Sequence, residues 1–377
     1  MRPSADRGTA NSSRGVAPIS ARIGWLKPMA SVRTEITELA TGLGMLGYDS
    51  PTEAISQFPK QFADVTERVW DQFTRAVDES PHRVDFAGAY RNGQVFLEAN
   101  DGLRGRPPQL IEWKGSHRSP GHDQLPIDLR VDHVYLISCK YSSKILLNAA
   151  PSNLFAASHD VGDWYDHAAP NQHQALYAAV RAEVDTSVEL PPFVGDLAKH
   201  HRSELKTALA DREWSPTCAA AYRELAAEVG RVTASQWRKS IATKRQREAL
   251  LWRLLRIGPA PYYVLGSARD RALRLLVTTP WDWRRRFEFR DLEIWGEEAG
   301  QPKIGWRATV RDHEAAEETC VDGHVEVRWS HGRFAQAPEA KVYLDTPHAQ
   351  VPGYLHLDAA ESWFGSISGP EIQLPLS

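Results

Sequence analysis

The chain has 377 residues, of which 42% are hydrophobic, and this is enough for one large domain or two moderate ones. Its formal net charge of −3 excludes a global basic signature for nucleic acid, so any contact with DNA must come from local patches. The three cysteines, Cys139, Cys218 and Cys320, are too few and too scattered for a disulfide framework or a zinc site. No apolar run approaches membrane-spanning length, and we therefore expect a cytoplasmic protein that does not enter a membrane.

The first 33 residues differ in composition from the rest of the chain. They contain six basic residues and a single acid, Asp6, among many Ser, Ala, Pro and Gly. We predict that residues 1–33 form a disordered basic tail. The alternatives are a transit peptide and an upstream start codon before a true start at Met29.

Apolar residues recur at helical spacing between about residues 62 and 78, which predicts an amphipathic helix with Glu67 on its polar side. The next segment has the pattern of strands. Two runs, 84–90 and 94–98, flank Asn92-Gly93, which is a strong hairpin signal.

A further strand is predicted over residues 109–115, and it contains the triplet Glu112-Trp113-Lys114. Asp85 with Glu98 and Asn100 has the spacing of an Asp…Glu-x-Lys hairpin, but with Asn in the lysine position. The chain therefore contains more than one version of a carboxylate-and-lysine signature.

The segment 126–140 is the most informative part of the chain. The alternating stretch 127–131 and the apolar run 134–137 predict a hairpin with Asp132-His133 as a tight connection. Asp128 then lies on one strand and Ser138 and Lys140 on the other. Because Ser138 and Lys140 have the same parity, their side chains share one face, and Cys139 points to the opposite face.

The residue types at positions 128 and 140 indicate a possible reaction. An aspartate can hold a divalent cation through oxygen, and a nearby lysine can orient the attacking water or neutralise charge on a scissile phosphate. The arrangement Pro126-Ile127-Asp128, nine residues, Ser138-Cys139-Lys140 resembles the PD-(D/E)xK nuclease superfamily, to which many restriction endonucleases belong. The resemblance covers about residues 60 to 185.

One position departs from the usual pattern of that superfamily. The second acid, two residues before the lysine, is replaced by Ser138, as in a subset of restriction enzymes that take this carboxylate from elsewhere in the fold. If strand 109–115 neighbours strand 134–140, Glu112 is the leading replacement. Asp132, Glu98 and Glu67 are the alternatives, since a one-residue slip of register reverses the facing of a strand.

The resemblance implies a fold and a reaction. The expected fold class is α/β, a restriction-endonuclease-like core with a central mixed sheet, a helical insertion and a β-rich C-terminal part. The expected reaction is Mg²⁺-dependent (or Mn²⁺-dependent) hydrolysis of DNA, and RNA is the alternative substrate. We also expect a restriction or defence role and a homodimer. Asp128, Glu112 and Asp132 are the candidate metal ligands, and Asp128, Ser138, Lys140 and Glu112 the candidate catalytic set.

Two further patterns follow the hairpin. Lys144 is a candidate phosphate contact. His159, Asp163 and His167 are spaced four apart and offer an alternative metal site on one helical face, although Gly162 weakens that helix. A helix over residues 171–180 is similar to the Gln-x-x-x-Tyr helix of RecB-type members, but His173 occupies the glutamine position.

A basic helical region extends from Arg231 to Arg256, with Trp237 and Trp252 interleaved and Glu248 as its one acid. A stripe of this density can follow a phosphate backbone, and an ordinary amphipathic helix is the alternative. The candidate nucleic-acid contacts in it are Arg238, Lys239, Lys244, Arg245 and Arg247.

Beyond residue 259 the chain becomes rich in strands. We predict a nuclease-like core over residues 34–185, the helical basic region over 186–258, and further core strands with a small β-rich unit over 259–377. The competing function is a non-catalytic nucleic-acid-binding protein on a degenerate nuclease core, because the acid at position 138 is missing.

Overall fold

A computed structural model describes residues 32–78, 80–115, 125–141, 145–155, 162–268, 271–297 and 300–357. Its helices are α1 (Val32–Gly44), α2 (Pro51–Ser56), α3 (Glu67–Asp78), α4 (Ser80–Glu98), α5 (Pro151–Phe155), α6 (Trp164–Ala168), α7 (Pro170–Glu183), α8 (Lys199–Ala208), α9 (Pro216–Ser240), α10 (Lys244–Leu254) and α11 (Pro280–Arg286). Its strands are β1 (Phe62–Ala63), β2 (Ile111–Trp113), β3 (Leu129–Val131), β4 (Tyr135–Tyr141), β5 (Ile145–Ala149), β6 (Tyr262–Ala268), β7 (Arg271–Val277), β8 (Phe287–Glu297), β9 (Lys303–Asp312), β10 (Glu317–Arg328), β11 (Glu339–Leu344) and β12 (Tyr354–His356). The predicted tail lies outside the described residues up to residue 31.

The protein is a mixed α/β fold with two sheets. The first sheet is mixed and has the strand order β1-β2-β3-β4-β6-β7-β12. Within it β4 and β6 run parallel, and β3 and β4 run antiparallel. The strands predicted after residue 259 are confirmed as β6 and β7, which continue this sheet beyond β4.

The second sheet is antiparallel and confirms the predicted β-rich C-terminal part. Its order is β5-β11-β10-β9-β8. Strand β5 was not predicted to belong to it. The chain leaves the first sheet at the end of β4 and enters the second sheet at β5, so the two sheets are linked close to Lys140.

Two hydrophobic cores cover the opposite faces of the first sheet. The smaller core packs helices α1, α3 and α4 against one face, with Leu43, Phe96 and Ile137 fully buried. The larger core joins the other face to the second sheet and to helices α5–α11, with Trp237, Leu251 and Trp306 fully buried. The helices between residues 186 and 258 therefore pack into the same core as the β-rich part.

The hairpin predicted at residues 84–98 is wrong, because these residues form helix α4. Its Asn92-Gly93 pair lies at a helix crossing and not in a turn. A Cβ atom added at Gly93 would lie 2.0 Å from the carbonyl oxygen of Thr41 on α1. The side chain of Asn92 is buried and donates to the carbonyl of Gly266 on β6 at 2.8 Å. Close packing thus selects these two residues.

Two other predictions need smaller corrections. The helix expected from residue 62 begins at Glu67, after the two-residue strand β1 and the left-handed residue Asp64 (φ 66°). Val134, expected to begin a buried strand, is 74% exposed and lies in the turn before β4. The helix expected over residues 171–180 is confirmed as α7. None of the helices in the described ranges is long and apolar enough to span a lipid bilayer.

Candidate active site

The β3–β4 hairpin brings Asp128 and Ser138 together. Asp132 and His133 both have positive φ (47° and 60°), and the N–H of Val134 donates to the carbonyl of Val131 at 3.0 Å, which closes a tight turn. The connection comprises residues 132–134, one residue more than predicted, because Val131 pairs with Tyr135. At the other end of the hairpin, the Asp128 carboxylate accepts from the N–H of Cys139 at 2.7 Å. Its Oδ2 atom also lies 3.4 Å from the Ser138 hydroxyl.

Both residues are withdrawn from solvent. Asp128 is 6% exposed and Ser138 is fully buried. Ser138 and Lys140 line the same crevice on the face of the larger core, whereas Cys139 belongs to the smaller core. The predicted parity of residues 138–140 agrees with this arrangement.

Glu112 has a different environment from the one predicted. Strand β2 pairs with β3 and not with β4, and Glu112 lies opposite Arg130. The register makes Glu112 a diagonal neighbour of Asp128, at a Cα separation of roughly 7–8 Å. Its carboxylate, however, accepts hydrogen bonds from Arg130 and, at 3.3 Å, from Lys114. These bonds, first from Arg130 and then from Lys114, lower the pKa of Glu112 to about 2.

The remaining predicted acids do not meet at Asp128. Asp132 lies four residues along the hairpin, about 13 Å away at the rise of a strand. There it accepts from the N–H groups of Gln109 and Leu110 at 2.8 and 2.9 Å, which orders the start of β2. Glu67 and Glu98 are exposed residues at the first and last positions of helices α3 and α4. The hypothesis that Asp132 shares a metal with Asp128 is therefore wrong.

Helix α1 supplies a carboxylate that the sequence analysis missed. Glu38 is 7% exposed and accepts from the indole N–H of Trp113 on β2 at 2.7 Å. One turn later, the hydroxyl of Thr41 lies 2.6 Å from the hydroxyl of Tyr141 on β4. This contact fixes the face of α1 that carries Glu38 against the face of β4 that carries Cys139.

The Cys139 thiol lies near both acids. Burial raises its pKa well above the ordinary value, and the charges of Asp128 and Glu38 raise it further. The available signal in the sequence was the position of Glu38 between Ile36 and Leu39, on a helix whose neighbouring positions are apolar. An acid on the buried side of an amphipathic helix is unusual unless it has a partner.

The donor set at this place is compatible with a hard divalent cation. Asp128 provides a buried carboxylate beside the hydroxyl oxygen of Ser138, whereas Glu38 lies with Cys139 on the opposite face of the sheet. The Asp128 carboxylate is oriented by the N–H of Cys139. Oxygen ligands of this kind suit Mg²⁺ or Mn²⁺.

Lys140 lies at the floor of a cleft of about 1130 Å³ between the first sheet and helix α10. Its wall carries Arg253 and Arg256 from the end of α10 and the amides of Asn148 and Asn153. None of the described residues that line this cleft is acidic. Partial burial, and then the neighbouring charge of Arg256, lower the pKa of Arg253.

Two of the five predicted contacts in the basic stripe are paired with acids from another element. Lys244 lies 3.6 Å from Glu288 and Arg247 2.6 Å from Asp291, both on β8. Arg238 donates to the backbone carbonyl of Ile294 at 2.7 Å. Lys239 and Arg245 are exposed, and Lys144 lies outside the described residues. A count of charges along one segment could not detect partners on another.

The alternative metal site changes its membership. His159 lies outside the described residues, and the Nε2 atom of His167 lies 3.1 Å from the amide of Gln236. Ligand atoms of Asp163, Asp166 and His173 lie within 4.8 Å of one another. Asp163 caps helix α6, and His173 pairs with Asp166 at 2.6 Å, so structural contacts account for this group.

No protein-family model matches the sequence, and neither a curated protein nor a solved structure shows significant similarity to it.

Proposed function

We propose that this protein is a metal-dependent nuclease that hydrolyses phosphodiester bonds of DNA. One observation carries the proposal. The strand that delivers Lys140 to the floor of a cationic cleft also carries Ser138, whose hydroxyl lies 3.4 Å from the buried carboxylate of Asp128.

Each residue has a role in the proposed reaction. Asp128 would hold the cation, and Ser138 orients the Asp128 carboxylate. Bound Mg²⁺ would polarise the scissile phosphate and lower the pKa of a coordinated water. Lys140 orients the attacking water or neutralises the charge that develops on the phosphate. Glu112 does not take part, because Arg130 and Lys114 already engage its carboxylate.

The resemblance to the PD-(D/E)xK superfamily adds the choice of DNA and a restriction or defence role. Homodimerisation and a cytoplasmic location stay predictions from the sequence. A second candidate is a nucleic-acid-binding protein without catalysis. It is favoured by Ser138 at the position of the second acid and by a cleft whose described lining contains cations and no carboxylate.

Nicking of supercoiled plasmid DNA separates the two candidates. We expect Mg²⁺- or Mn²⁺-dependent nicking that EDTA abolishes, and a loss of at least about a hundredfold in Lys140→Ala and Asp128→Asn. Glu38→Gln is the matched control, since the Glu38 carboxylate is about as buried as that of Asp128 but lies against Trp113 on the opposite face of the sheet. Nicking in EDTA, or full activity of Lys140→Ala, would overturn the nuclease assignment.

A further inference from the structure

The end of helix α10 has a backbone geometry that normally selects glycine. Arg256 has a φ of 57°, in the left-handed region. The N–H of Arg256 donates to the carbonyl of Arg253 at 3.2 Å, and the N–H of Ile257 donates to that of Trp252 at 2.8 Å. This is a Schellman motif, in which glycine is the usual residue at the left-handed position because a side chain is strained there.

The side chain at this strained position points to the proposed catalytic strand. Arg256 and Lys140 line both the large cleft and the smaller crevice that reaches Ser138. A residue held in an unfavourable backbone region at a cleft indicates a role of its side chain.

Like charges also accumulate at this place. Arg253 and Arg256 come from α10 and Lys140 from β4, and Arg253 and Arg256 are close enough for one charge to affect the other. The negative end of the α10 dipole accounts in part for two arginines at the helix end. It does not account for a lysine brought to the same cleft by a strand of the sheet.

We infer that Arg253 and Arg256 bind the phosphodiester backbone of a nucleic-acid strand beside Lys140, so that the strand enters the site along the end of α10. This inference rests on the proposed function for its choice of ligand. It replaces the contacts predicted for the basic stripe, which were Arg238, Lys239, Lys244, Arg245 and Arg247.

Binding of fluorescently labelled single-stranded and duplex oligonucleotides, measured by anisotropy in EDTA over a range of salt concentrations, tests the inference without cleavage. Arg253→Gln and Arg256→Gln should each weaken binding by about tenfold or more and reduce the salt slope by about one. Arg245→Gln removes the same charge from an exposed position of the same helix and should change affinity by less than about twofold.

A second variant separates binding from folding. Arg256→Gly removes the side chain and relieves the left-handed strain, so its Tm should equal or exceed that of the wild type while its binding falls as in Arg256→Gln. Wild-type affinity in Arg253→Gln and Arg256→Gln would overturn the inference. An equal loss of affinity in Arg245→Gln would also overturn it. The same holds if ATP binding depends on Arg253 and Arg256 but oligonucleotide binding does not.

The outcomes also distinguish this inference from the nuclease assignment. A protein that binds oligonucleotides through Arg253 and Arg256 but never nicks plasmid refutes the nuclease and leaves the inference standing. A protein that nicks plasmid with unchanged activity in both arginine variants refutes the inference alone.

Discussion

Glu112 is held by two cationic side chains and also contacts a histidine. Arg130 lies opposite it on β3, Lys114 lies two residues along β2, and the Nδ1 atom of His133 lies 3.2 Å from its carboxylate. The Glu112 side chain is only 12% exposed, so solvent screens these contacts weakly. These contacts give the residue a role in stability at neutral pH.

Replacement of Glu112 by glutamine should destabilise the protein in a pH-dependent way. The pKa of this carboxyl is lowered from 4.5 to about 2, so its contribution is complete above pH 4.5 and is lost as the pH falls towards 2. We expect Glu112→Gln to reduce the free energy of unfolding by about 2 kcal/mol at pH 7. Chemical denaturation at pH 7, 4 and 3 should show the gap between wild type and variant closing. A gap that is constant over this range would contradict the ion-pair role.

Whether two neighbouring residues of this region could be predicted to meet depended on how far apart they lie in the sequence. Asp128, Ser138 and Lys140 are joined by one tight turn, whose local geometry fixes their approach. Glu38 is about ninety residues away from Asp128 in the chain. Only the packing of α1 on the sheet brings the two together, and a pattern along one helix does not contain that information.

At the scale of elements, the crossing of α1 and α4 builds the smaller core that covers one face of the first sheet. Gly93 on α4 and Gly44 on α1 let the two backbones approach. A Cβ atom at Gly93 would lie 2.9 Å from the Cα atom of Gly44 as well as 2.0 Å from the carbonyl oxygen of Thr41. These are backbone atoms, so they cannot move aside as a flexible side chain would.

Gly93→Ala should therefore force the two helices apart. We expect a loss of about 2–3 kcal/mol in the free energy of unfolding. Gly88→Ala on the same helix is the matched control, since a Cβ atom there meets nothing within 4 Å. This second change should stabilise the protein by about 0.5–1 kcal/mol, the ordinary preference for alanine over glycine in a helix. Urea denaturation of both variants measures the difference, and equal stability would refute the crossing as a close contact.

The same crossing explains why helix α4 was not predicted. Asn-Gly between apolar runs is a turn signal when the residues are exposed. Here Asn92 donates to Gly266 and Tyr141 while Gly93 meets α1, so both residues serve tertiary contacts. Strands β6 to β11 were predicted more closely, because their apolar alternation reflects burial of one face and is visible in each strand alone.

At the scale of the whole molecule, the first sheet belongs to both cores. The smaller core covers one face of it and the larger core covers the other, together with the second sheet. The boundaries predicted at residues 185 and 258 do not separate folding units in this structure. Strand β4 lies before both boundaries and β6 lies after both, and the two strands pair in one sheet. Sequence composition marks such boundaries only where the chain also leaves a core, and this chain returns to the same sheet.

A shared sheet predicts cooperative unfolding of the whole described fold. Differential scanning calorimetry should show one transition whose calorimetric and van't Hoff enthalpies agree. Leu43→Ala in the smaller core and Leu251→Ala in the larger core both remove a fully buried side chain and should each cost about 2–5 kcal/mol. Both variants should shift the same transition to lower temperature, because neither core can persist when the sheet between them is lost. Two transitions, each moved by only one of the variants, would instead identify two independent domains, with the proposed site lying on one of them and the arginines of its cleft on the other.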